Sequence, residues 1–378
     1  MKHSADRAPR DFDLSDVRAA TVAAAREAAS VATDALEPGD RSSPRTRIDP
    51  SFLAMLEAAC IQAVDGGKQV RARLMLTSWS TLGKAQPPVD YAGAVQLAAA
   101  LEMFQASALV HDDIVDGADT RRGRPAVHRS LETEVAARFG PGRAKTLGAD
   151  LAILVGDLLL IASTTLACQA ARAIDSVTAN PILATLNQMR AEVMVGQFLD
   201  TLAPATPLRA FTASLEEAIA IAQVKSARYS VVFPLLIGAL AAGAAPSAAE
   251  GIGRFGTHLG LAFQLRDDLL SVFGDRAATG KPTGTDLMEG KRTCLLAIAR
   301  FRLPDRDRQQ LESLVTAPAG PLGADVARAL IAQSGAADVV EELIDSSRRE
   351  ALAALDALPL RARTAFEAIA VDLIDRTA

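Results

Sequence analysis

The sequence predicts an all-α fold. Alanine and leucine are abundant, and aromatic residues make up only 4% of the chain. The period-two alternation of β-branched residues that marks strands is scarce. Apolar residues recur instead at three- and four-residue spacing, which gathers them on one side of a helix. On this pattern the chain reads as about a dozen helices.

Taken in order, residues 1–48 are polar and run into the turn-rich "EPGDRSSPRTRIDP" (37–50). They are expected as a partly disordered N-terminal extension, with the main domain over 49–378. "VQLAAALEMFQASALV" (95–110) is a helix that ends before "GADTRRGRP" (117–125). "IAIAQVKSARYSVVFPLL" (219–236) is another. "AFQLRDDLLSVFGD" (262–275) and "DVVEELIDSSRREALAALDAL" (338–358) follow, divided by punctuation at 203–207, 274–286 and 317–325. No linker and no fixed-period repeat interrupts this part, so one large domain is expected.

Composition narrows the class. The 378 residues are 49% apolar, enough for a sizeable core. A net charge of −5 gives nucleic acid no electrostatic footing. Cys60, Cys168 and Cys294 stand far apart with no CxxC pair, as expected of reduced thiols in a cytoplasm. The opening "MKHSADRAPRDFD" has no apolar signal core. Asp157 and Pro234 break the longest apolar runs short of the roughly 20 residues of a membrane span. A cytoplasmic protein without a transmembrane segment is therefore expected.

Two acidic clusters carry the chemistry. At about 100° per residue, Asp112, Asp113 and Asp116 share one arc of a helix, and so do Gln264, Asp267, Asp268 and Ser271. One such cluster is equally well a solvated face. Two of them, in apolar surroundings, need counter-charge. Oxygen ligands without His or Cys favour Mg²⁺, which uses one or two carboxylates per ion and bridges to substrate phosphates. Paired carboxylates also serve glycoside hydrolysis, but that chemistry does not call for adjacent arginine pairs. The cations fit phosphate: Lys68 and Arg71 after Gly66-Gly67, Arg121 and Arg122 after the first cluster, Lys225 with Ser226, and Lys281 and Lys291 around the Gly-rich loop.

In this order the motifs resemble the trans-isoprenyl diphosphate synthases, or polyprenyl synthetases. "GGKQVR", "ALVHDDIVDGADTRRG", "EVMVGQFLD", "KSA", "FQLRDD", "GKPTGTD" and "EGKRT" are similar to that family's successive motifs over about residues 60 to 300. The resemblance implies an isoprenoid synthase-type bundle of antiparallel helices around a deep central cavity. It implies loss of diphosphate from an allylic diphosphate, attack on the allylic cation by the double bond of isopentenyl diphosphate, and loss of a proton. It implies that Asp112, Asp116 and Asp267 hold about three Mg²⁺, with Asp113 and Asp268 assisting. Arg121, Lys225 and Lys281 would contact the allylic diphosphate, with Ser226 beside Lys225. Lys68, Arg71, Gln105 and Arg122 would hold isopentenyl diphosphate, and Gln264 and Gln197 would line the site. His111 and His128 are read as structural. A homodimer is also implied.

Three departures stand out: Gln105 replaces a frequent His, Ala72 a frequent Pro, and Ser271 the third Asp of the second motif. With Asp267, Ser271 and Asp275, the second motif also approaches the metal triad of class I terpene cyclases. A cyclase has no use for a second diphosphate site. A non-catalytic partner subunit would be expected to lose its Asp-rich motifs. In the family a bulky aromatic four or five residues before the first Asp limits product length. Those positions are the small Ala108 and Ser107, with Phe104 as the next floor, so C20 geranylgeranyl diphosphate is expected, and longer chains second.

Overall fold

A computed structural model describes residues 12–35, 49–83, 86–202, 215–274, 284–288, 290–316 and 320–375. They are helical throughout, apart from one small hairpin and the turns. The described residues fall into two compact units, one of Phe12–Leu76 with Val89–Ala179, the other of Thr77–Pro88 with Asn180–Ala378. Two of the three changeovers, after Leu76 and after Ala179, fall inside helices, and the one after Pro88 lies in a loop.

In the first unit, helices α1 (Leu14–Ala35), α2 (Pro50–Val64) and α3 (Val70–Leu82, which ends in the second unit) come first. They are followed by α4 (Tyr91–Val115), strands β1 (Thr120–Arg121) and β2 (Arg124–Pro125), α5 (Val127–Phe139) and α6 (Ala144–Arg172). Residues 14–35 of the expected extension are thus helix, and α1 packs on α2, α4 and α6 with Val17 and Ala25 fully buried. Sequence punctuation sets the starts. Asp49 caps α2 by accepting from Ser51 N–H, with Pro50 in the first turn. Asp90 caps α4 by accepting from Gly93 N–H at 2.9 Å. The core lies between α4 and α6, where Ser163 donates to the Ala100 carbonyl at 2.7 Å.

The second unit holds α7 (Ser176–Leu202, which starts in the first), α8 (Leu215–Ala222), a π-helical stretch (Gln223–Val232) and α9 (Phe233–Ala242). It continues through α10 (Pro246–Phe273), α11 (Thr285–Met288), α12 (Cys294–Arg302), α13 (Asp305–Thr316), α14 (Gly320–Gln333), α15 (Ala336–Ala354) and α16 (Leu360–Ile374). Pro234 has no N–H to return to Ser230, which disfavours a regular α-ladder just before it. There the N–H of Phe233 bonds Arg228 O, five residues back. Gly260 lets α10 approach the π stretch: a Cβ there would stand 2.7 Å from Ala227 O. That approach brings Ser226 and Gln264 to one cavity.

Two helices, α4 and the stretch Pro141–Arg172 that contains α6, are long and apolar enough to cross a membrane by length and composition. The expectation of broken apolar runs misses this. Asp157 does not end α6, because an exposed aspartate costs a helix little.

Candidate active site

The first acidic cluster sits at the C-terminal end of α4, where the helix dipole already favours a cation. Asp113 is 3% exposed, while Asp112 and Asp116 are partly open. The chain then turns back through the β1–β2 hairpin. Its two-residue loop is Arg122-Gly123, with φ of +53° and +73°, as a tight hairpin turn requires. The hairpin returns Arg121 onto the cluster. Its Nε donates to Asp113 Oδ1 at 2.7 Å, and its terminal nitrogen reaches Asp112 Oδ2 at 3.2 Å. Burial works against the Arg121 charge, but Asp113, Asp112 and Asp116 outweigh it and hold its pKa above the ordinary arginine value.

Arg122 lies over the loop between α2 and α3. It donates to the Asp65 carbonyl at 2.8 Å, and Arg124 bonds the Asp65 carboxylate at 2.7 Å. A Cβ on Gly67 would stand 2.7 Å from the Arg122 guanidinium, so the glycine makes room for it. Burial draws Arg122 below the usual arginine range, and Glu102 is the first charge that opposes this. The motif segments "GGKQVR" and "RRGRP" thereby meet around a cavity of about 280 Å³, lined by Gly66, Gly67, Asp113, Arg121, Arg122 and Arg124. Lys68 is exposed beside it; Arg71 and Gln105 are partly buried. Gln69, at φ +47°, occupies a left-handed conformation that costs about 1 kcal/mol for a residue with a Cβ.

The second unit repeats the pattern on α10. Asp267 is partly open, and Asp268 is 5% exposed and accepts from Gln264 Nε2 at 2.8 Å. A cavity of about 180 Å³ is lined by Asp200, Ser226, Gln264, Asp268, Lys291 and Thr293, among others. Burial first, then Asp268, pushes the Cys294 thiol beside it up to about 12. Ser271 meets the loop that follows: its carbonyl accepts from Gly284 N–H at 2.9 Å, a backbone bond any residue could make. Lys225 lies in the π stretch, and Lys281 and Asp275 lie outside the described residues.

Two carboxylates had no role in the sequence reading, although the first opens the "EVMVGQFLD" motif. Glu192 holds Arg228 of the π stretch by two hydrogen bonds, 2.7 and 3.1 Å, and Gln188 adds a third at 2.9 Å. Glu102 accepts from the N–H of Ala72 at 2.9 Å. Periodicity could have found Glu102, since 102, 105, 109, 112 and 116 form one stripe on α4. His111 packs on α6, where a Cβ at Gly156 would stand 2.2 Å from its Nε2. His128 is buried in the first turn of α5, and burial lowers its pKa. Among the product-length positions only Ala108 is partly open; Ser107 and Phe104 are fully buried. Five residues are about 140° of helix, so Ser107 points away from the Asp112 side.

Among the described residues no three His, Cys, Asp or Glu side chains form a metal cluster by themselves. Mg²⁺ does not require one, since it takes one or two carboxylates and completes its shell with water and phosphate. Open carboxylates at the end of α4 and on α10, with no nitrogen or sulfur donors among them, fit that ion.

The polyprenyl synthetase family model matches residues 54–330. The chain belongs to the polyprenyl synthetase family. It is an all-α trans-prenyltransferase. It is 32% identical over 301 residues to the geranylgeranyl diphosphate synthase of Mycobacterium tuberculosis, covering 78% of this chain and 76% of that one. It is 30% identical to the all-trans-nonaprenyl-diphosphate synthase (geranyl-diphosphate specific) of Rhodobacter capsulatus, covering 78% and 80%. Among solved structures it resembles the geranylgeranyl pyrophosphate synthase of Corynebacterium glutamicum complexed with isoprenyl diphosphate and magnesium. The TM-score is 0.82 and the identity 31%, over 97% of this chain and 100% of that one.

Proposed function

We propose that the enzyme condenses isopentenyl diphosphate with an allylic diphosphate, and that its main product is geranylgeranyl diphosphate. The observation that carries this is the repeated arrangement in the two units. Each has an Asp-Asp pair whose first member is partly open and whose second is buried and tied to a neighbour, and each lies beside cations. Asp112, Asp116 and Asp267 are the open members, so they would hold Mg²⁺, about three ions in all. Bound Mg²⁺ supplies charge neutralisation of the departing diphosphate.

The remaining work falls to the chain. Asp113 keeps Arg121 aimed at the cluster, where its guanidinium and Lys225 and Lys281 bind the allylic diphosphate. Lys68, Arg71, Gln105 and Arg122 bind isopentenyl diphosphate; the amide of Gln105 can donate where a histidine is frequent. Apolar walls exclude the water that would trap the allylic cation. The small Ala108 on the Asp112 side leaves length for a C20 chain, and a relative that makes geranylgeranyl diphosphate agrees with this. The nonaprenyl synthase among the relatives keeps longer products as the second reading. The reduced thiols fit a cytoplasmic enzyme, which we take to work as a homodimer.

The test is chromatography of the products formed by the purified chain with Mg²⁺, isopentenyl diphosphate and C5, C10 or C15 primers. A C20 product from all three supports the proposal. A cyclic hydrocarbon from a long diphosphate alone, or no turnover by the chain alone, would overturn it.

A further inference from the structure

A carboxylate among phosphate-binding arginines is electrostatically out of place unless it organises them. Glu102 is such a group. Its Oε1 accepts the N–H of Ala72 at 2.9 Å, and its charge acts on Arg122. Ala72 is the third residue of α3, directly after Arg71, so its N–H is one of the donors a helix start leaves unpaired. Proline, which is frequent at this position in the family, has no such N–H. In this chain Glu102 meets it from α4. The bond lies just after a loop with positive φ at Gly66, Gly67 and Gln69, a conformation that neighbours must hold in place. Glu102 lies on the same stripe of α4 as Gln105 and Asp112.

We propose that Glu102 is a positioning residue for isopentenyl diphosphate: by holding the first turn of α3, it fixes Arg71 next to the loop that Arg122 covers, so that the two arginines form one cradle. This rests on the assignment of those two arginines to that substrate. Glu102 itself touches no phosphate; like charges would repel.

Steady-state kinetics of the full chain tests it, with each substrate varied in turn and Mg²⁺ present. Glu102→Ala should raise KM for isopentenyl diphosphate about tenfold, the scale of a lost charge-assisted hydrogen bond. KM for the allylic diphosphate and kcat should change less than about twofold. Glu102→Gln keeps an acceptor for Ala72 N–H and should recover part of the loss; it also decides the matter should the alanine variant not fold. In an Ala72→Pro background, where no N–H needs accepting, Glu102→Ala should cost clearly less. An unchanged KM, an equal rise for both substrates, or an undiminished effect in the proline background would overturn the proposal. Arg122→Ala separates the two levels. If it leaves KM for isopentenyl diphosphate unchanged, the cradle assignment itself fails; if it raises KM while Glu102→Ala does not, only the positioning role fails.

Discussion

At the scale of residues, adjacent aspartates that look alike in sequence have different surroundings. Asp113 is buried against Arg121, and Asp112 stays partly open. Asp112→Ala should therefore nearly abolish kcat while the melting temperature changes little. Asp113→Ala should cost about 3 kcal/mol of stability, because it takes the buried partner from Arg121. Urea melts and kinetics on both variants check this; equal stability losses would count against it. The two clusters were legible because an i, i+1, i+4 pattern falls on one helix face. Which aspartate is buried was not legible, since that depends on a hairpin turn with a non-glycine residue, Arg122, at positive φ. The product-length positions teach the same lesson. Ala108→Phe should shorten the product, as chromatography would show. Ser107 is fully buried, and its Oγ makes no hydrogen bond. Ser107→Ala should then be neutral or stabilising by about 1 kcal/mol, and product length should stay the same.

At the scale of elements, the segment read as one helix over 219–236 is α8, a π stretch and α9 in succession. Its apolar spacing is that of a helix either way, so periodicity could not reveal the wider turns. Pro234 was visible, but only as a break in an apolar run. The π stretch contains Lys225 and Ser226, and Glu192 on α7 fixes it through Arg228, whose guanidinium also lies 5.1 Å from the Phe233 ring centre. Glu192→Gln should lower kcat, because Lys225 loses its framework, and should cost about 1 kcal/mol of stability for a half-exposed pair. The pH dependence has a defined sign. Burial raises the Glu192 pKa, but hydrogen bonds from Arg228 and Gln188 outweigh it and set it below its ordinary 4.5. Its contribution is then present above about pH 4.5 and lost as pH falls through the lowered value. The stability gap between wild type and Glu192→Gln should close in acid; a gap as wide at pH 3 as at pH 7 would refute the charge-based account.

At the scale of the molecule, the all-α class was legible from composition and spacing, but the division into two units was not, because two of its three changeovers fall inside α3 and α7. Nor did the sequence show which helix faces stay open. On α6, Leu154 is 57% and Ile161 60% exposed, and with Phe52 and Phe139 they line an apolar groove of about 670 Å³. A contiguous apolar face of this kind is costly in water and marks an interaction surface. The bilayer is a poor match for it: Asp150 and Asp157 lie in α6, and a carboxylate inside a membrane costs several kcal/mol. A second copy of the chain offers the same face, as a two-fold dimer requires. A stable homodimer needs about 1,200–2,000 Å² buried in total, so a charge placed in the face should break it. Ile161→Glu should convert a dimer in sedimentation velocity into a monomer at micromolar concentration. Val177→Glu, a substitution at a position 83% exposed on α7 and away from this groove, should leave the dimer intact. A wild-type chain that sediments as a monomer at every concentration would rule out this use of the face, and the apolar groove would then need a different occupant.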